Sequence, residues 1–217
     1  MMKNYLPLKK VFPEMKLIVV DDGSIEMPAY DTVKFYDDSD IHLYKVEKDY
    51  GFNSHGARNL AMHVTDSDWN ILLDLDVNIC SDFVGNLKEL VSDDLDNSTI
   101  YYFADSNEVR GHVVPSLRLI NHFLIHKDLF WSVNGYDEEY VGYWCGDGEF
   151  AESVGAVGKI NYVTTLKIHI SDIRNVKPKE NLNREQFLEI ENKVRSRIAN
   201  REFWRKTPMN FKWNRQL

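Results

Sequence analysis

The stretch "WNILLDLDVNI", residues 69–79, constrains the fold more than any other part of the chain. It is the most apolar segment, yet two carboxylates, Asp74 and Asp76, stand at its end. Adjacent like charges are costly near a core unless a cation or solvent compensates them. A strand built this way has to bring that end out to a rim. A second short apolar run, "LIVV" (17–20), also ends in acids, Asp21 and Asp22 of "DDGS". Its Gly and Ser are turn residues.

Between these runs the periodicity changes. "IHLYKV" (41–46) alternates and reads as a strand. "NSHGARNLAMHV" (53–64) has helical spacing, with Ala57, Leu60, Ala61 and Val64 on one face and Asn53 or Ser54 as cap. "SDFVGNLKELV" (81–91) reads as a capped amphipathic helix with Phe83, Leu87, Leu90 and Val91 on its stripe. "TIYYFA" (99–104), "VVPSLRLI" (113–120), "KINYV" and "LKIHI" (159–170) are predicted strands. "HKDLFWSVNG" (126–135) is a short helix closed by Gly135, and 183–203 a last helix with Phe187, Ile190, Val194 and Ile198 apolar. Strands alternating with helices in the first half favour an α/β sheet with substantial parallel pairing.

Along an extended strand Leu72, Asp74 and Asp76 point one way and Ile71, Leu73, Leu75 and Val77 the other. The two carboxylates then face one space, their Cα atoms roughly 6.5–7 Å apart. If "LIVV" and "ILLDL" lie parallel, Asp21, Asp22, Asp74 and Asp76 share the rim where open α/β sheets bind ligands. Paired strand-end carboxylates suit a hard divalent cation that keeps positions open for phosphate oxygens. The plainer reading is that both strands end in polar loops.

Composition narrows the setting. The 217 residues suffice for one domain with a large core. No run approaches the length of a membrane span, and the start "MMKNYLPLKKVFPEMK" lacks a signal-peptide core. Cys80 and Cys145 fit no disulfide framework or zinc spacing, so a reduced, cytoplasmic setting is expected. The net charge of −8 disfavours a general nucleic-acid binder. From residue 184 onward nine Lys/Arg face four Asp/Glu, leaving −13 for the first 183 residues. That basic tail reads either as a solvated helix face or as a peripheral contact with an anionic membrane surface.

The order "VVDDGS", "NSHGARNLA", "ILLDLDV", "VNGYDEEYVGYWCGDGEF" resembles the family 2 glycosyltransferases of GT-A fold. The last segment is also similar to the C-terminal part of galactosyltransferases. The resemblance runs over residues 17–170. It implies an α/β fold with a Rossmann-like, mixed and mostly parallel sheet flanked by helices. Residues 1–182 would be the GT-A-like domain, with a basic amphipathic helix and tail, 183–217, packed on it.

The resemblance also implies roles. Asp21 and Asp22 would contact the nucleoside, Arg58 of "GARN" the diphosphate, and Asp74 the ribose. Asp76 would hold Mn2+ or Mg2+, with His169 of "LKIHI" as a further ligand, an imidazole that suits Mn2+ better. Without the resemblance, Arg58 reads as a solvated helix residue and His169 as a surface histidine. In "GYWCGDGEF" Gly146 replaces the Glu of the family's Glu-Asp pair and Asp147 keeps the Asp. The catalytic base is then Asp147 or Glu149. The implied reaction moves a sugar from a nucleoside diphosphate, UDP favoured, to a glycan or other hydroxyl acceptor with inversion. The aromatic rings of "YVGYWCG" would stack on a sugar or fill the core.

The first 16 residues resemble the helix and loop that come after the family's first strand, not the strand itself. The sheet is therefore expected to lack that strand. A truncated or degenerate domain that binds nucleotide or glycan without catalysis is the alternative, and a nucleotidyltransferase, which would leave the 135–150 segment unexplained, ranks behind it.

Overall fold

The computed structural model describes residues 1–106, 120–140, 146–170, 184–200 and 211–217. The chain forms two compact units, each assembled from three separated stretches. One takes 1–15, 67–130 and 157–176; the other takes 16–66, 131–156 and 177–217.

In the first unit α1 (Met2–Val11) covers the start of the chain, matching the helix expected there. Its buried side carries Asn4, Tyr5 and Leu8. A five-stranded sheet has the order β3-β6-β5-β7-β4, from β3 (Trp69–Leu72), β4 (Val77–Ile79), β5 (Thr99–Asp105), β6 (Phe123–His126) and β7 (Lys159–Ile170). Its core joins Leu8, Val77, Phe83, Leu87, Phe103, Leu124, Leu166 and Ile168. Phe83 and Leu87 come from α4 (Phe83–Ser92), whose N-terminus makes no side-chain cap bond, unlike the capped helix expected over 81–91. The outer strand β4 is only three residues long, and Asn4 secures it. Asn4 Nδ2 donates to the Val77 carbonyl at 2.7 Å, and Ile79 N–H donates to Asn4 Oδ1 at 3.1 Å.

The second unit holds a three-stranded sheet of β1 (Leu17–Asp21), β2 (Ile41–Val46) and β8 (Trp213–Arg215), with β2 central. Four helices accompany it: α2 (Tyr30–Val33), α3 (Ser54–Val64), α6 (Asp147–Val157) and α7 (Arg184–Ala199). Between α4 and α6 the chain forms α5 (Lys127–Ser132) and a 3-10 turn at Glu138–Tyr140. Asn53 caps α3 as expected, accepting the Gly56 N–H at 3.2 Å. Leu60 and Val64 of its expected stripe pack with Ile18, Val20, Tyr44, Val46, Phe211 and Trp213. His55, Asn59 and Met62, off that stripe, are buried as well. Helix α3 is therefore covered on a second side that apolar spacing does not reveal.

The α/β class and mixed sheet match expectation, with three differences. Among the described residues β1–β2 and β5–β7 pair in parallel, whereas β2–β8, β3–β6, β4–β7 and β5–β6 are antiparallel, so pairing is not mostly parallel. Strands β1 and β3 belong to different sheets among the described residues, so they are not parallel strands of one sheet. "KINYV" and "LKIHI" are one twelve-residue strand, broken in register where Phe103 faces Val163 and Ala104 faces Lys167. The extra residues 164–166 form an irregularity of the β-bulge kind, which bends the strand and re-aims the side chains beyond it. The predicted strand 113–120 lies almost wholly, up to residue 119, outside the described residues, as do 141–145 with Cys145 and the side chains of Phe187, Val194 and Ile198. No helix among the described residues is long and apolar enough to cross a membrane.

Candidate active site

In the second unit the acid pair that ends β1 divides its work. Asp21 is 4 % exposed and accepts three backbone N–H groups, from Gly23 at 3.1 Å, Ser24 at 2.7 Å and Ala29 at 2.7 Å. Its carboxylate shapes the 23–29 loop. Asp22 is half-buried and accepts the Asn53 N–H at 3.4 Å. Burial raises its proton affinity above that of an ordinary aspartate, against the bond from Asn53, and the neighbouring Asp21 and Asp49 add to the rise.

An ion pair joins α3 to the first turn of α6. Arg58 Nη1 donates to Asp147 Oδ1 at 2.7 Å, across 89 residues of sequence. The Arg58 guanidinium also lies 5.1 Å from the Tyr136 ring centroid, a cation–π distance. Tyr136 in turn stacks on Phe150 at 4.2 Å with the planes 11° apart. Asn59, one residue beyond Arg58, binds both sides of Tyr136. It accepts the Tyr136 N–H at 2.8 Å and donates to the Tyr136 carbonyl and to Glu138 Oε1, both at 2.9 Å.

Asp147 and Glu149 open α6, and acidic side chains favour a helix N-terminus. Their surroundings differ. The Asp147 side chain is 27 % exposed, that of Glu149 only 9 %. Burial pushes the Glu149 carboxyl above its ordinary value, and Arg195 of α7, 3.9 Å away, offsets part of this. Burial and the nearby Glu149 and Asp137 carboxylates likewise hold the Tyr140 phenol far above the usual range. Lys193 and Arg197 of α7 meet acids too, and Arg195 has two further acidic partners. Lys193 binds Glu139 at 2.9 Å, Arg195 binds Glu152 at 3.3 Å and Glu191 at 3.1 Å, and Arg197 pairs with Asp137. Three of the tail's positive charges are thus engaged within the unit.

In the first unit β3 ends at Leu72, earlier than the predicted Leu75, and the chain turns before β4. Val77 N–H donates to the Asp74 carbonyl at 3.3 Å, closing the turn that contains both carboxylates. The alternation argument for Asp74 and Asp76 therefore does not apply; a turn, not an extended strand, keeps them together. Asp74 Oδ2 accepts from Asn121 Nδ2 at 2.5 Å, and buried His122 places Nε2 3.4 Å from the same oxygen. Sequence reasoning missed both partners, although "NHFLIH" sets two polar residues directly before a strand. Asp76 precedes Val77, which faces Ile170 across β4–β7, and Asn78 faces His169. Asp76 thus stands one residue before the ladder in which His169 is paired. His169 is exposed, with Nδ1 3.4 Å from Ser106 Oγ. Among the described residues no three His, Cys, Asp or Glu side chains form a group able to hold a metal ion.

The family model for glycosyl transferase family 2 matches residues 8–146, well over half of the chain. The chain belongs to glycosyl transferase family 2. No curated protein matches it. Among solved structures, S. aureus TarS 1-349 in complex with UDP-GlcNAc aligns with a TM-score of 0.69 at 16% identity, covering 91% of this chain and 60% of that one. GalNAc-T7 with UDP, GalNAc and Mn2+ aligns at 0.61 and 14%, covering 83% and 42%. The chain spans 36% of the longer TarS structure, which aligns with a TM-score of 0.64 at 15% identity. These likenesses show the GT-A fold. The family 2 match includes "DDGS", "GARN" and "DLD", whose positions are now placed: Asp22 and Arg58 in one unit, together with Asp147, and Asp74 and Asp76 in the other, together with His169.

Proposed function

We propose that this family 2 member transfers a sugar from a nucleoside diphosphate, UDP in the first instance, to a hydroxyl of a glycan or other acceptor, with inversion. The Arg58–Asp147 ion pair carries the reading. It joins, at 2.7 Å, the two side chains that the family resemblance assigns to the diphosphate and to the acceptor proton. UDP and UDP-GlcNAc in the TarS structures, and UDP in GalNAc-T7, support the choice of nucleotide.

Asp22 would contact the nucleoside, because the Asp21 oxygens already hold the loop behind it. Arg58 would bind diphosphate oxygens, and Asp74, fixed by Asn121, would bind the ribose. Asp147, the more accessible of the two candidate bases, would accept the acceptor proton. The freed oxygen then bonds to the anomeric carbon as the bond to the diphosphate breaks, and the diphosphate leaves with the electron pair. Glu149 faces Arg195 and Tyr140, which favours Asp147 over it.

The donor chemistry of Asp76 and His169, a carboxylate in the turn before β4 and an imidazole on β7, fits Mn2+, and the carboxylate also fits Mg2+. When bound, such an ion would offset the charge that builds on the departing diphosphate.

Thermal unfolding with and without Mn2+ plus UDP, repeated on Asp76→Ala, tests this. A ligand at 100 times its Kd stabilises by about 2.7 kcal/mol. A metal-dependent rise in Tm that the variant loses is expected. No rise with UDP, GDP or any other nucleoside diphosphate would refute nucleotide binding.

A further inference from the structure

Where the family resemblance expects an acid before Asp147, this chain has Gly146, and the geometry shows what occupies the space. Gly146 has φ +119°, a backbone conformation that residues with a Cβ rarely adopt. A Cβ there would stand 2.5 Å from His55 Nε2 and 3.1 Å from its Cδ2. The imidazole therefore rests directly on the Gly146 backbone. The His55 residue is 1 % exposed, and the rings of Tyr136 and Tyr140 flank it with centroids at 5.5 and 5.8 Å.

That backbone matters because helix α6 begins on it. The Gly146 carbonyl accepts the Phe150 N–H at 2.9 Å, and Asp147 is the first helical residue. His55 and Arg58 lie three residues apart on α3 and are neighbours on its surface. Helix α3 consequently meets the start of α6 at two adjoining points, an imidazole on the Gly146 backbone and a guanidinium on the Asp147 carboxylate.

We propose that His55 is a positioning residue for Asp147, acting through the bare backbone of Gly146. This rests on the reading of Asp147 as the base. Without the imidazole, the first turn of α6 gains room to settle toward α3, and the Asp147 carboxylate moves relative to Arg58. Displacement of a reacting group by about 1 Å can cost about 100-fold in rate.

The test uses the full chain labelled with 15N-arginine. A guanidinium held on a carboxylate rotates slowly and shows separate Nη resonances, assigned to Arg58 by their absence in Arg58→Lys. In His55→Ala those resonances should merge. With UDP-sugar as donor, kcat should fall about 100-fold while the donor KM stays within about twofold. If His55→Ala keeps separate resonances or wild-type kcat, the proposal is overturned. Should that variant fail to fold, His55→Asn, smaller than the imidazole and still polar, carries the same two measurements. Asp147→Asn separates the two claims: transfer that survives in it refutes the base assignment, while the Arg58 resonances of the His55 variants still report whether the ring sets the ion pair.

Discussion

Asp147 and Glu149 stand two residues apart in one helical turn, yet burial gives them different chemistry. Glu149 has its proton affinity raised in the folded state, above the 4.5 of an unperturbed carboxyl. The folded protein then binds more protons than the unfolded chain between 4.5 and the folded value. Stability must rise as pH falls through that window, and ionisation of Glu149 at higher pH works against the fold. As pH rises above about 4.5, Glu149→Gln should therefore lack the downward contribution that Glu149 makes to the Tm slope, measured by calorimetry in one buffer series. Equal slopes would show that Glu149 is not the group responsible. The family pattern favoured Asp147, which keeps the Asp, and left Glu149 as the alternative; "GDGEF" says nothing about which side of a helix faces Arg195. Arg58 was legible as a candidate, but not its partner. Asn59, Asn121 and His122 were missed, because their contacts with Tyr136 and Asp74 join residues far apart in the chain and leave no local period.

Elements were legible where one face alone meets a core. Asn53 as cap, the strand 41–46 and the helix 83–92 come directly from local pattern. The pattern fails where polar side chains do the packing. Helix α3 buries His55 and Asn59 beyond its apolar stripe, and β4, at three residues, is too short to carry a period. The partner that completes β4 is a side chain, Asn4, on a helix 73 residues earlier. Asn4→Ala would leave the Val77 carbonyl and the Ile79 N–H without that partner, each buried unsatisfied group costing about 1–3 kcal/mol. Urea unfolding should show the loss. Because β4 comes directly after the Asp76 turn, Mn2+ should also bind Asn4→Ala more weakly, read by titration calorimetry. Wild-type stability in this variant would mean that β4 is held by its ladder with β7 alone.

For the whole molecule, alternation of strands and helices gave the α/β class, while the division into two units stayed hidden. Each unit draws on three separated stretches, and no linker composition marks where the chain passes from one to the other. The mostly parallel expectation failed for the same reason: among the described residues four of the ladders pair strands in opposite directions across long sequence separations. The second unit is completed by β8, whose Trp213 meets Tyr44 with ring centroids 5.7 Å apart and whose backbone pairs with residues 44–46 of β2. Deleting 211–217 should open the β2 edge and promote association through it, detectable as rising light scattering at a concentration where the full chain is monodisperse. A deletion variant that scatters no more than wild type would show that the edge is protected by other means. Strand β8 also makes the order of synthesis matter. A two-stranded ribbon is marginal in water, and β2 is made long before its third strand. At about 5–20 residues per second, the ribosome leaves β1 and β2 waiting roughly ten to thirty seconds for Trp213. During that interval a chaperone has its best access to this unit, and the arrival of Trp213–Arg215 decides when the access ends.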